Sequence, residues 1–224
     1  MLPKLENCSI GIIGLGYVGL PLAIKIAKQR KCLLTKNKLE RFVFGYDINK
    51  SRIDELSRGI DRNKIFSKEQ IKKIKKIKFI TDKKLLKNVD VFIITVPTPI
   101  TNKNEPNLIH IKESSKLVGE LIRDNEKKLI NPIIIYESTV YPGLTEEICI
   151  PLIEKISKRK HNSQNPNDTF YCGYSPERIN PGDTKHTIDS ITKVTSGCNK
   201  TVANWISSFY GSFITGGIFQ AGSI

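Results

Sequence analysis

Apolar residues in this chain fall into two kinds of segment that alternate along its length. The first kind is a short run without polar interruption, typical of a strand buried on both faces of a parallel sheet. The second kind has apolar residues every three or four positions, typical of a helix with one buried face. The predicted strands are Cys8–Ile13, Phe42–Tyr46, Val89–Val96, Pro132–Tyr136 and, more weakly, Thr192–Ser196. The predicted helices are Leu20–Gln29, a helix capped by Asn49 or Ser51 that runs through Leu56, Ser67–Ile77, Leu108–Asn125, Gly143–Ser157 and Asn199–Tyr210.

This alternation predicts an α/β fold in which right-handed crossovers join parallel strands. We therefore expect a doubly wound, mainly parallel sheet with helices on both faces. A length of 224 residues fits one large domain, or one domain with a short appendage. The polar stretch Lys158–Thr169 is predicted to be a loop.

The chain is strongly basic, with a net charge of +14. Its lysines concentrate in residues 25–41 and 64–87, and within Ser67–Ile80 they surround isoleucines at helical spacing, which indicates a solvated helix face. Aromatic residues do not interleave with these lysines, as a single-strand binder would require. We expect no nucleic-acid partner, and the alternative of a basic DNA or RNA binder predicts steeply salt-dependent binding.

Membrane and metal roles also find little support in the sequence. No apolar run reaches the roughly 18 residues that cross a bilayer, and the first ten residues lack the pattern of a signal peptide. We therefore expect a cytoplasmic protein with no membrane partner. Five scattered cysteines form no CxxC pair or Cys/His cluster, so we expect no metal site and mostly buried thiols. Cys172 is of interest because it lies three residues before Ser175.

A glycine motif follows the first predicted strand. Gly14, Gly16 and Gly19 form GxGxxG directly before a predicted helix. In this context the first glycine permits a tight turn, the second lets the backbone approach a pyrophosphate, and the third lets the helix pack closely on the strand. The motif predicts a Rossmann-type dinucleotide-binding site, the alternative being a glycine-rich turn without a ligand.

An acidic residue, Asp47, follows the second predicted strand. A carboxylate there accepts hydrogen bonds from both ribose hydroxyls and repels a 2′-phosphate, which favours NAD over NADP. The alternative is a helix-capping Asp. Arg52, one turn on, is a candidate for the ribose or the pyrophosphate, or a surface arginine. The interval from Gly14 to Asp47 exceeds the usual spacing of roughly 20 residues, and we expect an extended basic surface turn at Lys31–Arg41 to account for the excess.

Three more segments carry candidate chemistry. VPTP at Val96–Pro99 ends a buried strand, where open α/β sheets bind ligands, and Thr98 offers a hydroxyl. ESTVYPG at Glu137–Gly143 offers Ser138 and Thr139, which fit either a ligand contact or a helix cap. GYSPERINPGD at Gly173–Asp183 places a carboxylate, Glu177, beside a guanidinium, Arg178, in a proline-stiffened loop. That pair suits acid–base work beside an anionic substrate, the alternative being a surface ion pair.

Together these segments resemble the UDP-glucose/UDP-N-acetylhexosamine 6-dehydrogenases. GLGYVGLPLA, GYDIN, VPTPI, ESTVYPGLTEE and GYSPERINPGD occur in that family's order and cover essentially the whole chain. The last string resembles the branch acting on UDP-N-acetylglucosamine or UDP-N-acetylgalactosamine more than the UDP-glucose branch. The resemblance implies NAD-dependent oxidation of a sugar C6 hydroxyl to a carboxylate through a cysteine thioester, for surface polysaccharide synthesis.

The resemblance also implies roles for individual residues. Glu177 corresponds to the acidic residue of acid–base chemistry, and Thr139 helps to hold the catalytic water. Arg178 and Ile179 correspond to substrate contacts. The implied NAD contacts are Gly14, Gly16, Tyr17, Val18, Gly19, Asp47, Arg52, Thr98 and Thr139.

By the same resemblance, we expect the chain to hold only the NAD-binding half of such an enzyme. Residues 1–210 are the NAD-binding domain, and 211–224 correspond to the approach to a central helix and linker. A UDP-sugar and either a separately encoded C-terminal half or a homodimer are the implied partners. The alternative is a non-catalytic NAD-binding remnant of a decayed gene. Because a domain that lacks its partner exposes apolar surface, we expect an exposed patch formed by Phe209, Phe213, Ile214, Ile218 and Phe219.

Overall fold

A twisted, mainly parallel sheet forms the centre of the molecule in the computed structural model, which describes residues 1–125, 130–165, 168–178 and 190–224. Its described strands run in the spatial order β3-β2-β1-β4-β5-β7-β8-β9, with β6 beside β7. Only β7 and β8 pair antiparallel among the strands described. The strands are β1 (Ser9–Ile13), β2 (Phe42–Tyr46), β3 (Ile77–Ile80), β4 (Val91–Ile94), β5 (Ile133–Tyr136), β6 (Lys160–His161), β7 (Thr169–Tyr174), β8 (Lys193–Gly197) and β9 (Ile218–Gln220).

Helices cover both faces of this sheet, as the alternating pattern predicted. They are α1 (Gly19–Lys28), α2 (Lys50–Ser57), α3 (Lys68–Lys72), α4 (Ile109–Arg123), α5 (Ile150–Ser157) and α6 (Lys200–Gly211). A short 3-10 turn at Lys83–Leu86 precedes β4, and a π-helical turn at Thr145–Cys149 leads into α5. Asn49 caps α2 by accepting a hydrogen bond from Arg52 N, which settles the choice between Asn49 and Ser51.

The sheet separates two hydrophobic cores. Strand β5 shows the division, because Ile133 and Ile135 belong to the core beneath α1 and α6, whereas Ile134 and Tyr136 belong to the core beneath α4 and α5. All four residues are fully buried. An uninterrupted apolar run is therefore required by the two-sided burial of a central strand.

Four of the described strands, β3, β6, β7 and β9, were not predicted from the sequence. The predicted loop Lys158–Thr169 is wrong at Lys160–His161, because β6 pairs there with β7. The predicted helix Ser67–Ile77 is wrong in its second half, because α3 ends at Lys72 and Ile77 begins β3, which pairs with β2. Its start is right, since Ser67 and Gln70 form a capping box. β7 was overlooked because it lies beside the chemically rich GYSPER string, whose Gly173 and Tyr174 are strand residues.

The segment Lys31–Arg41 is more than a basic surface turn. A bridge joins Lys31 to Lys38, and Arg41 is 1% exposed. The guanidinium of Arg41 lies 4.8 Å from the Phe209 ring centroid, donates from Nε to Leu5 O (2.8 Å) and donates from Nη1 to Ser212 Oγ (2.7 Å). The expected basic surface turn fits residues 34–38, which are exposed, but not the end of the segment, which closes the core beside α6.

The expected apolar patch near the end of α6 is also mostly wrong. Phe209 and Phe213 are fully buried and Ile214 is 4% exposed, because they belong to the same core as α1. Within that core the Phe209 ring contacts Phe213 and the Arg41 guanidinium. Ile218 is half-buried and Phe219 is 60% exposed. Only Phe219, on strand β9, fits the expectation fully.

The cysteines are mainly core residues. Cys8, Cys32, Cys149 and Cys172 are buried, and Cys198 is half-buried. Burial raises the pKa of the Cys8 thiol to about 12 and holds the pKa of Cys172 well above its ordinary value. Both thiols are therefore neutral near pH 7, which argues against Cys172 as a nucleophile in this state. Within the described ranges no helix has the length and apolarity to cross a bilayer, and no three His, Cys, Asp or Glu side chains group as metal ligands.

Arg41 offers a test of how the core closes. Replacing it with Met (Arg41→Met) keeps the apolar contact with Phe209 but removes the donors to Leu5 O and Ser212 Oγ. The free energy of unfolding, measured by urea denaturation, should fall by about 1.5–3 kcal/mol, the range for hydrogen bonds made by a charged group. Arg30→Met, at an exposed position, is the control and should change it by less than about 0.5 kcal/mol. Equal effects of the two substitutions would contradict this description.

Candidate functional site

The candidate site lies at the carboxyl edge of the sheet, where the strand order reverses. β1 pairs with β2 on one side and with β4 on the other, so the loops that follow β1 and β4 diverge and leave a crevice. β5 and β7 run parallel to β4, so their exits reach the same edge. The topology therefore brings the glycine motif, Val96–Pro99, Thr139 and Glu177 to one edge.

The glycine turn is shaped by two close approaches. Gly14 has φ +96°, and its amide donates to Tyr46 O at 2.9 Å. A Cβ on Gly19 would lie 1.9 Å from Gly14 O and 2.4 Å from Thr95 Oγ1, so α1 can start here only with glycine. In contrast, a Cβ on Gly16 would meet no atom within 4 Å, which leaves open space in front of the turn.

The start of α1 fits an anionic ligand. Val18 is its capping residue and makes no side-chain hydrogen bond to the first turn. Tyr17 is 54% exposed. An uncapped first turn beside open space at Gly16 is the arrangement in which backbone N–H groups hold a pyrophosphate. The residues present therefore fit a dinucleotide, although contacts of Gly14, Gly16, Tyr17, Val18 and Gly19 with NAD stay predictions.

Leu15, inside the turn, is held at both of its backbone groups. Asp47 Oδ2 accepts from Leu15 N at 2.9 Å, and Arg52 Nε donates to Leu15 O at 3.0 Å. Asp47 Oδ1 accepts from Asn49 N, so Asp47 stabilises the turn and the start of α2 together without being the helix cap. Each carboxylate oxygen retains a lone pair for a ribose hydroxyl.

Arg52 is not a surface arginine, because it is 5% exposed. Its Nη2 lies 2.9 Å from Asp61 Oδ1, and the Asp61 side chain is fully buried. Asp61 also accepts from the amides of Asn63, Ile65 and Phe66, so it organises the loop after α2. Nη1 and Nη2 of Arg52 are themselves buried and lack a well-aligned hydrogen-bond acceptor within the described ranges, and the contact of Arg52 with NAD stays a prediction.

The loops after β4 and β5 are bonded to each other. Thr98 Oγ1 donates a short hydrogen bond to Thr139 O, and Ser138 Oγ donates to Val96 O at 2.7 Å. Thr139 is exposed at the edge, so its hydroxyl is accessible to a ligand. These bonds place the predicted cofactor residues Thr98 and Thr139 side by side.

Glu177 and Arg178 do not form the surface ion pair that was the alternative for them. Glu177 Oε1 accepts from the backbone amide of Arg178 at 2.7 Å, and Glu177 Oε2 lies 3.8 Å from Lys193 Nζ. The Arg178 side chain is exposed and donates from Nη1 to Thr192 O. Ile179, predicted to contact substrate, lies outside the described residues.

Behind Glu177 is a buried polar cluster that sequence reasoning missed. Lys193 Nζ lies 2.9 Å from Glu137 Oε2 and also donates to Ser175 O (3.4 Å) and Pro176 O (3.3 Å). Tyr210 donates a short hydrogen bond to Glu137 Oε1. The side chains of Lys193 and Glu137 are 6% and 0% exposed. The sequence gives one hint, an acid directly after the apolar run IIIY, but its partners lie 56 and 73 residues away.

Two opposing effects act on the pKa of Glu137 in this cluster. Burial raises the pKa of the Glu137 carboxyl, while the Lys193 ammonium and the Tyr210 hydroxyl oppose that rise. Burial, together with the Glu137 charge, holds the pKa of Tyr210 well above its ordinary value, so its hydroxyl stays a donor. Lys193 thus joins the exits of β5 and β7 and places an ammonium beside Glu177, an arrangement able to orient a carboxylate for proton transfer.

Comparison with known proteins agrees with this geometry. Residues 8–214 match the model of the UDP-glucose/GDP-mannose dehydrogenase family, NAD binding domain. A UDP-N-acetyl-D-glucosamine 6-dehydrogenase of Pseudomonas aeruginosa is 40% identical over 220 residues, 98% of this chain and 47% of that protein. The structure of UDP-D-ManNAc dehydrogenase from Pyrococcus horikoshii, 27% identical, matches 96% of this chain and 47% of its own with a TM-score of 0.76.

A GDP-mannose dehydrogenase of Pseudomonas aeruginosa, 24% identical, shares the fold with a TM-score of 0.78 over 94% of this chain and 45% of its own. The chain spans about half the length of the curated relatives it matches.

The Arg52–Asp61 pair can be tested through cofactor affinity. Asp61→Asn removes the charge that holds Arg52 against Leu15 but retains an acceptor for the loop amides. The dissociation constant for NAD⁺, measured by calorimetry, should rise roughly three- to tenfold, as expected when one charge-assisted hydrogen bond is weakened. Glu113→Gln removes the same charge from an exposed pair with Lys116 and should leave it unchanged. An unchanged constant for Asp61→Asn would show that the turn does not depend on this pair.

The buried cluster of Lys193, Glu137 and Tyr210 should affect the free energy of unfolding. Lys193→Met leaves the Glu137 carboxylate buried without its cation, and the free energy of unfolding should fall by roughly 3–5 kcal/mol. Adding Glu137→Gln to Lys193→Met removes the stranded charge and keeps an acceptor for Tyr210, so the double variant should regain part of the loss. A double variant less stable than Lys193→Met would argue against this account of the pair.

Proposed function

The chain belongs to the UDP-glucose/GDP-mannose dehydrogenase family through its NAD-binding domain, and from this premise we propose its reaction. We infer that it provides the NAD⁺ site for oxidation of the C6 hydroxyl of a UDP-N-acetylhexosamine, or of UDP-glucose, to the uronic acid. The observation that carries this proposal is the crevice between β1 and β4, whose glycine turn is held by Asp47 and Arg52. The 40% identity to a UDP-N-acetyl-D-glucosamine 6-dehydrogenase supports the N-acetylhexosamine as substrate.

In the proposed mechanism, bound NAD⁺ supplies a hydride acceptor, and residues of this chain place it. The first turn of α1 holds the pyrophosphate, and Asp47 accepts from the adenosine ribose hydroxyls. Thr98 and Thr139 line the crevice beyond the turn, with the Thr139 hydroxyl available to a water. At the far exit Glu177 accepts or donates the proton at the reacting oxygen, and Arg178 and Ile179 contact the anionic substrate.

The thioester route implied by the family resemblance requires a thiolate. Cys8, Cys149 and Cys172 do not fit that role because they are buried and their pKa values are raised. The proposal therefore includes a partner that contributes the thiol and closes the crevice, a separately encoded C-terminal half. A homodimer, the other partner considered, would bring only the same cysteines. A cytoplasmic location and a role in surface polysaccharide synthesis belong to the same proposal.

The experiment is NADH formation by the purified chain with NAD⁺ and UDP-N-acetylglucosamine, UDP-N-acetylgalactosamine or UDP-glucose, alongside NAD⁺ binding by calorimetry. Binding with turnover that Glu177→Gln reduces at least tenfold supports the proposal, since general acid–base catalysis contributes about 10²–10⁴-fold. Binding without turnover, even when the C-terminal half of a relative is added, favours the non-catalytic alternative. Absence of NAD⁺ binding contradicts both.

A further inference from the structure

A second arginine lies close to the predicted ribose site. Arg62 reaches back to the start of α2, where its Nη2 donates to Ser51 Oγ at 3.0 Å. Asp47, four residues before Ser51, is near enough for its charge to contribute to the raised pKa of Arg62, for which the hydrogen bond with Glu55 is the larger cause. Arg62 is therefore a cation at the start of α2, the same end of the helix at which Asp47, the carboxylate expected to bind the adenosine ribose, accepts from Asn49 N.

The Glu55 carboxylate pairs with the Nε and Nη2 groups of this guanidinium. Arg62 Nε lies 2.6 Å from Glu55 Oε2, and Nη2 lies 2.8 Å from Oε1, which makes a bidentate pair. The side chains of Arg62 and Glu55 are 43% and 22% exposed, so the pair is accessible from solvent. Arg52 is different, because it is buried against Leu15 O and Asp61.

The chemistry of this pair bears on cofactor choice. A guanidinium fork binds a phosphate in the same bidentate way as a carboxylate. In dinucleotide folds that accept NADP, an arginine near the acidic position accommodates the 2′-phosphate. This chain holds such an arginine and a neighbouring hydroxyl, Ser51, but a carboxylate already fills the fork.

We propose that Glu55 is a specificity-determining residue, which selects NAD⁺ by withholding Arg62 from the 2′-phosphate of NADP⁺. Discrimination against NADP⁺ then has two parts, repulsion by Asp47 and occupation of Arg62 by Glu55. This inference rests on the proposed binding of NAD⁺ in the β1–β4 crevice. It also assigns Ser51 and Arg62 to a latent phosphate site.

The test compares dissociation constants for NAD⁺ and NADP⁺, by calorimetry, in the unaltered chain and in Glu55→Ala. Each is also prepared with Asp47→Asn, which lessens the repulsion of NADP⁺ and keeps an acceptor for Leu15 N. Glu55→Ala should tighten NADP⁺ binding roughly tenfold, the effect of one charge-assisted hydrogen bond, with NAD⁺ affinity changed less than twofold. Glu113→Ala, at the exposed partner of Lys116 on α4, is the matched control and should leave the ratio of the two constants unchanged.

Two Arg62 variants establish the cause. Arg62→Ala added to Glu55→Ala should abolish the gain in NADP⁺ affinity, whereas Arg62→Ala alone should leave both constants unchanged. A ratio that does not move in Glu55→Ala, or a gain that persists without Arg62, overturns the inference while NAD⁺ binding still stands. If the unaltered chain binds neither cofactor, the proposed function fails first.

Discussion

The candidate site depends on the two hydrogen bonds that fix the backbone of Leu15. Its amide donates to Asp47 and its carbonyl accepts from Arg52, so the glycine turn is fixed from both sides. Its side chain is buried against Gly45, where a Cβ would come within 3.1 Å of it. One residue thus connects the end of β1, the exit of β2, the start of α2 and, through Arg52 and Asp61, the loop after α2.

Two buried ion pairs lie at this same edge of the sheet. The Arg52–Asp61 and Lys193–Glu137 pairs have side chains at most 6% exposed, whereas the other described ion pairs are considerably more accessible, apart from the contact between Lys193 and Glu177. Desolvation makes such pairs weak contributors to net stability, and removing one partner is costly. Their value here is geometric, because each fixes loops that lack regular backbone pairing. One pair positions the cofactor turn and the other positions the exit that carries Glu177.

Much of the fold could be predicted because its signals are local. The run of Ile133–Tyr136 and the spacing of Gly14, Gly16 and Gly19 each reflect a nearby requirement, two-sided burial or close helix approach. β3 could not be separated from the preceding lysine-rich helix, since pairing with β2 decides its state. From the sequence alone, Arg52 could be a surface arginine or a ligand contact, and only the fold shows that it pairs with the buried Asp61. Likewise, the contacts of Lys193 with Glu137 and beside Tyr210 are evident only in the folded structure. Local sequence patterns therefore predicted most strands and helices, whereas the positions of the charged side chains at the site are set by contacts between distant segments.

The interlock between the start of the chain and α6 has a consequence for the order of folding. Trp205 Nε1 donates to Pro3 O and Arg41 donates to Ser212, contacts that span 202 and 171 residues. Because α6 supplies part of the core that covers β1 and α1, that face stays incomplete until nearly all of these residues have left the ribosome. Contacts of such long range slow folding and prolong the exposure of apolar surface in the nascent chain. The opposite face, closed by the nearer neighbours α4 and α5, can consolidate earlier during synthesis.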